Sequence, residues 1–188
     1  MKYIVLDLEM NQPSGKIIEI GAVCLDIKTG KMFDPFQILV KIDEEVSPEI
    51  TELTGITSDM LNEEGVDLVI ALRLFWTWVE TCQTKNISSW GIDYYLLTEE
   101  SKKLGVIYPN KLRFLNIKEF ASVFRSCYPA AKQKGGLKTS MELFGLQFEG
   151  EQHQALDDAA QAARLLFLLK DNMRKFLAIQ DMFKDSKI

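Results

Sequence analysis

The sequence predicts an α/β fold: a mixed sheet, built from an antiparallel three-stranded meander plus parallel strands, flanked by helices. Two features of the chain point there. Short apolar runs separated by turn residues come first, and helix-length and strand-length segments alternate from Ser47 onward. Composition adds a third: of 188 residues, 47% are hydrophobic and 26% charged, as in soluble globular proteins with a sizeable core. No repeat, low-complexity run or Pro/Gly/Ser linker divides the chain, so one domain is expected.

In order, "KYIVLDLEM" is a short apolar run closed by the turn-prone "NQPSG" and reads as a mostly buried strand. "KIIEIGAVCLDI" and "KMFDPFQILVKI" flank "KTG", where Gly30 supplies a positive φ, and form a hairpin. "SPEITELTG" is a short helix with Ser47 as cap, Pro48 at the first position and Gly55 at the stop. "GVDLVIALRLFWTWVE" is a helix apolar nearly all round, which predicts burial on several sides. "ISSWGID" and "KLRFLNI" are short strands, each followed by a helix, from about Tyr94 to Lys103 and from Ile117 to Cys127. "GGLKTSMELFG" is a short helix between glycines, and a long helix starting near Gln154 closes the chain.

The N-terminal residues show neither a signal peptide nor a membrane span, so a cytoplasmic setting is expected. Cys24, Cys82 and Cys127 are odd in number and far apart, which suggests neither a disulfide framework nor a thiolate zinc site. They read as small hydrophobes. A net charge of −5 argues against a broad basic face that grips long duplexes, but not against a partner held at one small site.

Several acidic residues resist a plain structural explanation. Side chains on a strand alternate faces, so Asp7 and Glu9 in "IVLDLEM" point one way while Leu6, Leu8 and Met10 point the other. Two neighbouring carboxylates on a buried strand repel each other, and either a positive group lies between them or that face is solvated. Asp93 follows Gly91 at the C-terminal end of a strand, where open α/β sheets form clefts; by itself it also reads as a helix cap.

Asp157 and Asp158 open the last helix, where its dipole favours either. Helical phase separates them. Leu156, Ala159, Ala160, Ala163, Leu166 and Phe167 define the core face; Asp157 aligns with Gln161 and Arg164 on a polar, solvated stripe. Asp158 aligns with Ala155, Ala162, Leu165 and Leu169, where an unpaired carboxylate is costly, and becomes the site candidate. His153, the sole histidine, precedes Asp158 by five residues, ~140° apart on a continuous helix. The two converge only if His153 lies in the loop before the helix, and Gly150 with "EGEQ" supplies such a loop.

Asp7, Glu9, Asp93 and Asp158 with one imidazole, and no second histidine or thiolate, suit hard cations, Mg²⁺ or Mn²⁺, and suit zinc poorly. Two divalent ions balance the four negative charges. Such a pair stabilises the attacking and leaving oxygens of an in-line phosphoryl displacement. The remaining need is a base for water, which an imidazole meets. Metal-assisted phosphodiester hydrolysis is the predicted chemistry.

"DLE" on the first strand, "WGID" near the middle and "HQALDD" near the end resemble, in order, the three exonuclease motifs of the DnaQ-like DEDDh 3′-5′ exonucleases, a family with an RNase H-like fold. The third motif, H-x-A-x-x-D, falls on His153, Ala155 and Asp158. "KIIEIGAV" and "ELTGIT" also resemble family segments, so the likeness runs from about residue 2 to 170. "LDLEM", "FLNIKEF" and "MELFGLQFEGEQHQALDDA" are most similar to the histone-mRNA exonuclease and KapD-like branch, which often acts on RNA. "NQPSGK" is shorter than the insertions some relatives carry there.

The resemblance implies an exonuclease domain over residues 1–175 and a helical tail over 176–188. It implies that Asp7, Glu9, Asp93 and Asp158 hold two Mg²⁺ or Mn²⁺ ions, with Asp7 bridging, and that His153 activates the water. It also places the 3′-terminal nucleotide near Met10 and "LTGIT", where Leu53, Thr54 and Ile56 line sugar and base; "LTGIT" alone is an ordinary helix stop.

Lys132, Lys134 and Lys138 are either a solvated cluster or phosphate contacts. Trp90 fits the core or a cleft wall better than base stacking. Trp76 and Trp78 are packing residues, one of them partly exposed, with an oligomer contact as the alternative. The apolar tail either packs back as a helix or contacts a partner, a second copy or another protein. The expected partner at the site is a single-stranded RNA or DNA 3′ end. A proofreading-type exonuclease of a DNA polymerase and a non-catalytic binding module are the competing functions, and the intact carboxylate set argues against the module.

Overall fold

The computed structural model describes residues 1–126 and 135–185. Five strands form one sheet in the order β3-β2-β1-β4-β5: β1 (Lys2–Met10), β2 (Ile17–Asp26), β3 (Met32–Leu39), β4 (Asn86–Ser89) and β5 (Arg113–Asn116). β1, β2 and β3 pair antiparallel as the predicted meander; β1 with β4 and β4 with β5 pair parallel. The turn after β2 uses Gly30 at φ +77°. This is the expected mixed sheet, flanked by helices.

The helices are α1 (Pro48–Thr54), α2 (Ser58–Glu63), α3 (Leu68–Thr81), α4 (Asp93–Lys103), α5 (Ile117–Arg125), α6 (Leu137–Leu143) and α7 (Ala155–Asp185). Ser47 caps α1 at the Ile50 amide, and Gly55 ends it in the left-handed conformation at φ +75°. The short α2 was not expected. It has one buried residue, Leu61, and its main local signal is the Thr57 cap on the Met60 amide.

The strand period sorts the sheet residues onto two cores. Ile4, Leu6, Leu8, Ile20, Ala22 and Ile87 pack beneath α3 and α4, whereas Val5, Val23 and Leu25 pack beneath α5, α6 and α7. Asp7 and Glu9 continue the Val5 row, so they emerge on the α7 face where that helix begins. α1 and α2 close a third cluster around Ile18, with Ile50, Ile56 and Leu61.

α3 is buried on fewer sides than its nearly all-round apolar sequence predicts. Ala71, Leu72, Phe75, Trp76 and Val79 are buried, but Ile70 and Leu74 are about half exposed on the outer face. A single layer of sheet covers only one side of the helix. Trp76 is buried and donates from Nε1 to Ser101 Oγ at 2.8 Å, and Trp78 is half-buried against Phe36 and Phe75. Trp90 packs in the α7-side core, as a wall residue should.

Cys24 and Cys82 are fully buried, as small hydrophobes should be, yet the structure pairs them, with Cα atoms 6.5 Å apart. Their 58-residue separation hides the pairing from sequence, since only the docking of α3 on β2 brings them together. Among the described residues no helix is long and apolar enough to cross a membrane. Lys132, Lys134 and Cys127 lie outside the described residues, while Lys138 on α6 bonds Gln152 Oε1 at 3.3 Å.

Candidate active site

Asp7 and Glu9 come from the exit end of β1, Asp93 from the first turn of α4 just past β4, and Asp158 from the first turn of α7. Parallel pairing of β1 with β4 puts the ends of both strands on one edge, and α7 begins over that edge. His153 sits in the loop before α7, with its backbone at φ +63°, in the left-handed region that a non-glycine residue seldom occupies. The condition for convergence with Asp158 is therefore met.

The structure draws Glu9, His153 and Asp158 into one cluster, in which one ligand atom from each lies within 4.8 Å of the others. A divalent cation held by these groups would draw them closer together. The electrostatics agree. Burial pushes the Asp7 carboxyl well above its usual range, and the charges of Asp93, Asp158, Glu9 and Glu19 push the same way. Glu9, only 8% exposed, is pushed up to about 8 by burial, then by Asp158, Glu19 and Asp93.

Burial also raises Asp93, with the Ser89 hydroxyl and the Gly91 and Asp93 amides opposing it. Asp158 is raised by burial against the His153 amide and imidazole, which favour its anion. A set of carboxylates that resist ionising together lacks a compensating positive charge, and a divalent cation supplies one.

The two aspartates of the last motif both shape the loop. Asp158 Oδ2 accepts the His153 amide at 3.3 Å, and Asp157 Oδ2 accepts the Glu151 amide at 2.8 Å. The expectation that Asp157 lies on a solvated stripe is thus corrected. Gln161 is 5% exposed and donates to the Glu149 carbonyl, and Arg164 donates to the Gln147 carbonyl at 3.0 Å and pairs with Glu149 at 2.8 Å. That stripe is covered by residues 147–151, which lead to His153.

Glu19 is the residue that sequence reasoning passed over. It is 2% exposed, faces Glu9 directly across the β1–β2 ladder, and accepts the Ala155 amide on Oε2 at 2.9 Å and Gln37 Nε2 on Oε1 at 2.6 Å. A lone carboxylate inside the apolar β2 was the available signal. Two residues on, a Cβ at Gly21 would stand 2.1 Å from the Ala155 carbonyl carbon, so α7 starts in direct contact with bare β2 backbone.

Beside Glu19 opens a cleft of about 410 Å³ lined by Gln37, Leu39, Thr54, Gly55, Ile56, Met60 and Gln154, among others. Thr54 and Ile56 are each 4% exposed; the Thr54 hydroxyl donates to the Ile50 carbonyl and accepts the Ile56 amide. Leu53 is 47% exposed and Met10 is half-buried in the α3-side core; neither lines this cleft. Asn11, 2% exposed, ties the strand end to the α1 entry through Glu44 Oε1, the Glu45 carbonyl and the Ser47 amide.

Comparison with known proteins identifies the family. The family described as "Exonuclease" (RNase_T) matches residues 4–166. The chain is 30% identical to DNA polymerase III PolC-type of Bacillus subtilis over 189 residues, covering 98% of this chain and 12% of that protein. It is also 30% identical to ERI1 exoribonuclease 2 of Mus musculus over 191 residues, covering 86% of this chain and 27% of that protein. The chain thus spans about an eighth and about a quarter of these relatives.

Among solved structures, the nuclease domain of 3′hExo bound to rAMP, described as a DEDDh family member, superposes with a TM-score of 0.74 at 22% identity, covering 91% of this chain and 92% of that one. The cell-death related nuclease 4 (CRN-4) superposes at 0.77 with 16% identity, covering 90% and 64%. Both show the RNase H-like nuclease fold. Metal dependence is a property of the DEDDh enzymes, and the acidic cluster here is of the matching kind. With a family match spanning most of its length and the motif acids gathered on one sheet edge, the chain belongs to this exonuclease (RNase_T) family.

Proposed function

We propose that the protein hydrolyses the terminal phosphodiester of single-stranded nucleic acid from the 3′ end and releases nucleoside 5′-monophosphates. RNA is the favoured substrate. The observation that carries this is the grouping of Glu9, His153 and Asp158 within 4.8 Å beside Asp7, whose carboxyl is held up by burial and by the charge of Asp93.

Asp7, Glu9, Asp93 and Asp158 would hold two Mg²⁺ or Mn²⁺ ions. When bound, the ions neutralise the phosphate and stabilise charge on the attacking and leaving oxygens. His153 takes the proton of the attacking water at an imidazole nitrogen. The bond formed is water oxygen to phosphorus, and the bond broken is phosphorus to O3′ of the preceding nucleotide. The backbone at His153, tied to the Asp158 carboxylate, keeps the imidazole beside these acids.

Thr54 and Ile56, on the wall of the 410 Å³ cleft, would bound the terminal sugar and base. The compact acidic edge suits one or two nucleotides of a frayed or single strand better than a duplex. A second substrate, DNA, is favoured by the PolC-type relative, which aligns over 98% of the chain. ERI1 exoribonuclease 2, at the same identity, favours RNA.

The test is incubation of 5′-labelled single-stranded RNA and DNA with Mg²⁺, Mn²⁺ or EDTA, alongside Asp7→Ala and His153→Ala. A ladder shortening from the 3′ end, abolished by EDTA and by Asp7→Ala, is expected. Cleavage that persists in EDTA, or full activity in Asp7→Ala, refutes the mechanism. An inactive wild type that still binds nucleic acid identifies a binding module.

A further inference from the structure

We infer that Glu19 is a positioning residue: its carboxylate, hydrogen-bonded to the Ala155 amide, sets the phase of α7 on the sheet and so places His153 and Asp158 against Glu9. The inference builds on the site assigned above. It gives Glu19 a task different from that of the other acids there.

The geometry separates the two kinds of acid. Both Glu19 oxygens are engaged by protein donors, Oε2 by the Ala155 amide and Oε1 by Gln37 Nε2. Its immediate cross-strand neighbour is Glu9, which belongs to the Glu9, His153 and Asp158 group; Glu19 does not.

Ala155 is the first residue of α7, two after His153 and three before Asp158. The first amides of a helix have no partner inside it, and a buried one requires an acceptor from elsewhere. Contact of Ala155 with Gly21 sets how close the helix comes to β2 but leaves it free to slide or turn on that flat backbone. A directional bond from β2 removes that freedom. Since Glu19 and Glu9 are register partners, the bond refers the His153–Asp158 segment to the strand carrying Glu9. Gln37, across from Gly21 on β3, holds the second oxygen and so the carboxylate plane.

The test compares Glu19→Gln, which keeps an acceptor oxygen of the same reach, with Glu19→Ala, which removes it. The readouts are kcat and KM on a labelled oligonucleotide, Mn²⁺ affinity by electron paramagnetic resonance, and hydrogen exchange of residues 152–158. Glu19→Ala is expected to lose ~10- to 100-fold in kcat with KM little changed, to bind Mn²⁺ ~10-fold more weakly, and to exchange faster at the Ala155 amide. Glu19→Gln is expected to stay within about threefold of wild type in all three.

Equal impairment of the two variants would show that the charge matters rather than the acceptor, and would overturn the inference. So would wild-type exchange in Glu19→Ala. Exchange and Mn²⁺ binding remain readable if the wild type degrades no oligonucleotide, so loss of the proposed function would be seen separately. Should Glu19→Ala fail to fold, Gln37→Leu, which frees only the outer oxygen, is expected to give a smaller shift in the same direction at Ala155. No shift there would refute the role.

Discussion

Asp7 carries two opposed demands. Its carboxyl is buried among Asp93, Asp158, Glu9 and Glu19, so the metal-free protein resists ionising it, while a divalent cation would require the ion. Asp7→Asn should therefore abolish hydrolysis yet raise the Tm of the metal-free protein, measured by calorimetry in EDTA. A lower Tm would show that Asp7 is held by favourable contacts instead. His153→Ala should reduce kcat ~10²- to 10⁴-fold at saturating Mg²⁺, measured on a labelled oligonucleotide, if the imidazole moves the proton.

The start of α7 shows how an element can serve a site without touching substrate. Residues 147–151 approach His153 over a helix face that offers Asp157, Gln161 and Arg164, and each binds a backbone amide or carbonyl of that segment. Gln161→Leu would remove the donor to the Glu149 carbonyl, at a cost of ~0.5–1.5 kcal/mol. The expected result is a kcat several-fold lower and faster proteolysis between residues 147 and 153, with KM changed little. An unchanged kcat would mean that Asp158 alone fixes His153. At the other wall, Asn11→Ala releases the α1 entry from the end of β1. Its expected signature is a raised KM with kcat retained, checked by the same assay.

For the molecule as a whole, the acidic edge should make stability depend on pH in an unusual sense. Glu9 rises from 4.5 to about 8, and Asp7, Asp93 and Asp158 move upward too. Between 4.5 and about 8 the folded protein then holds a proton at Glu9 that the unfolded chain has released. The contribution of Glu9 is complete below its ordinary carboxyl range and is lost as pH climbs through about 8, and the upward shifts of Asp7, Asp93 and Asp158 act in the same sense. Thermal melts in EDTA should show Tm falling from about pH 5 to about pH 8.5. Added Mg²⁺ should raise Tm more at the upper end, because it binds the ionised carboxylates. Equal Mg²⁺ stabilisation at both ends would contradict a carboxylate site.

Much of this was legible in the chain alone. Period-2 patterning and turn residues marked the meander, helix phase on α7 singled out Asp158, and the motif order placed Asp7, Glu9, Asp93, His153 and Asp158 in one family pattern. These are local or ordered properties, and local geometry preserves them. Other features needed distant segments to meet. The Cys24–Cys82 pairing, the burial of Gln161 under residues 147–151 and the bond from Glu19 to Ala155 each join positions whose separation carries no periodic signal. Local sequence specifies which face a side chain takes. What lies against that face is set by how the helices pack on the sheet, and that packing laid residues 147–151 over the Asp157 stripe and brought Glu19 to the start of α7.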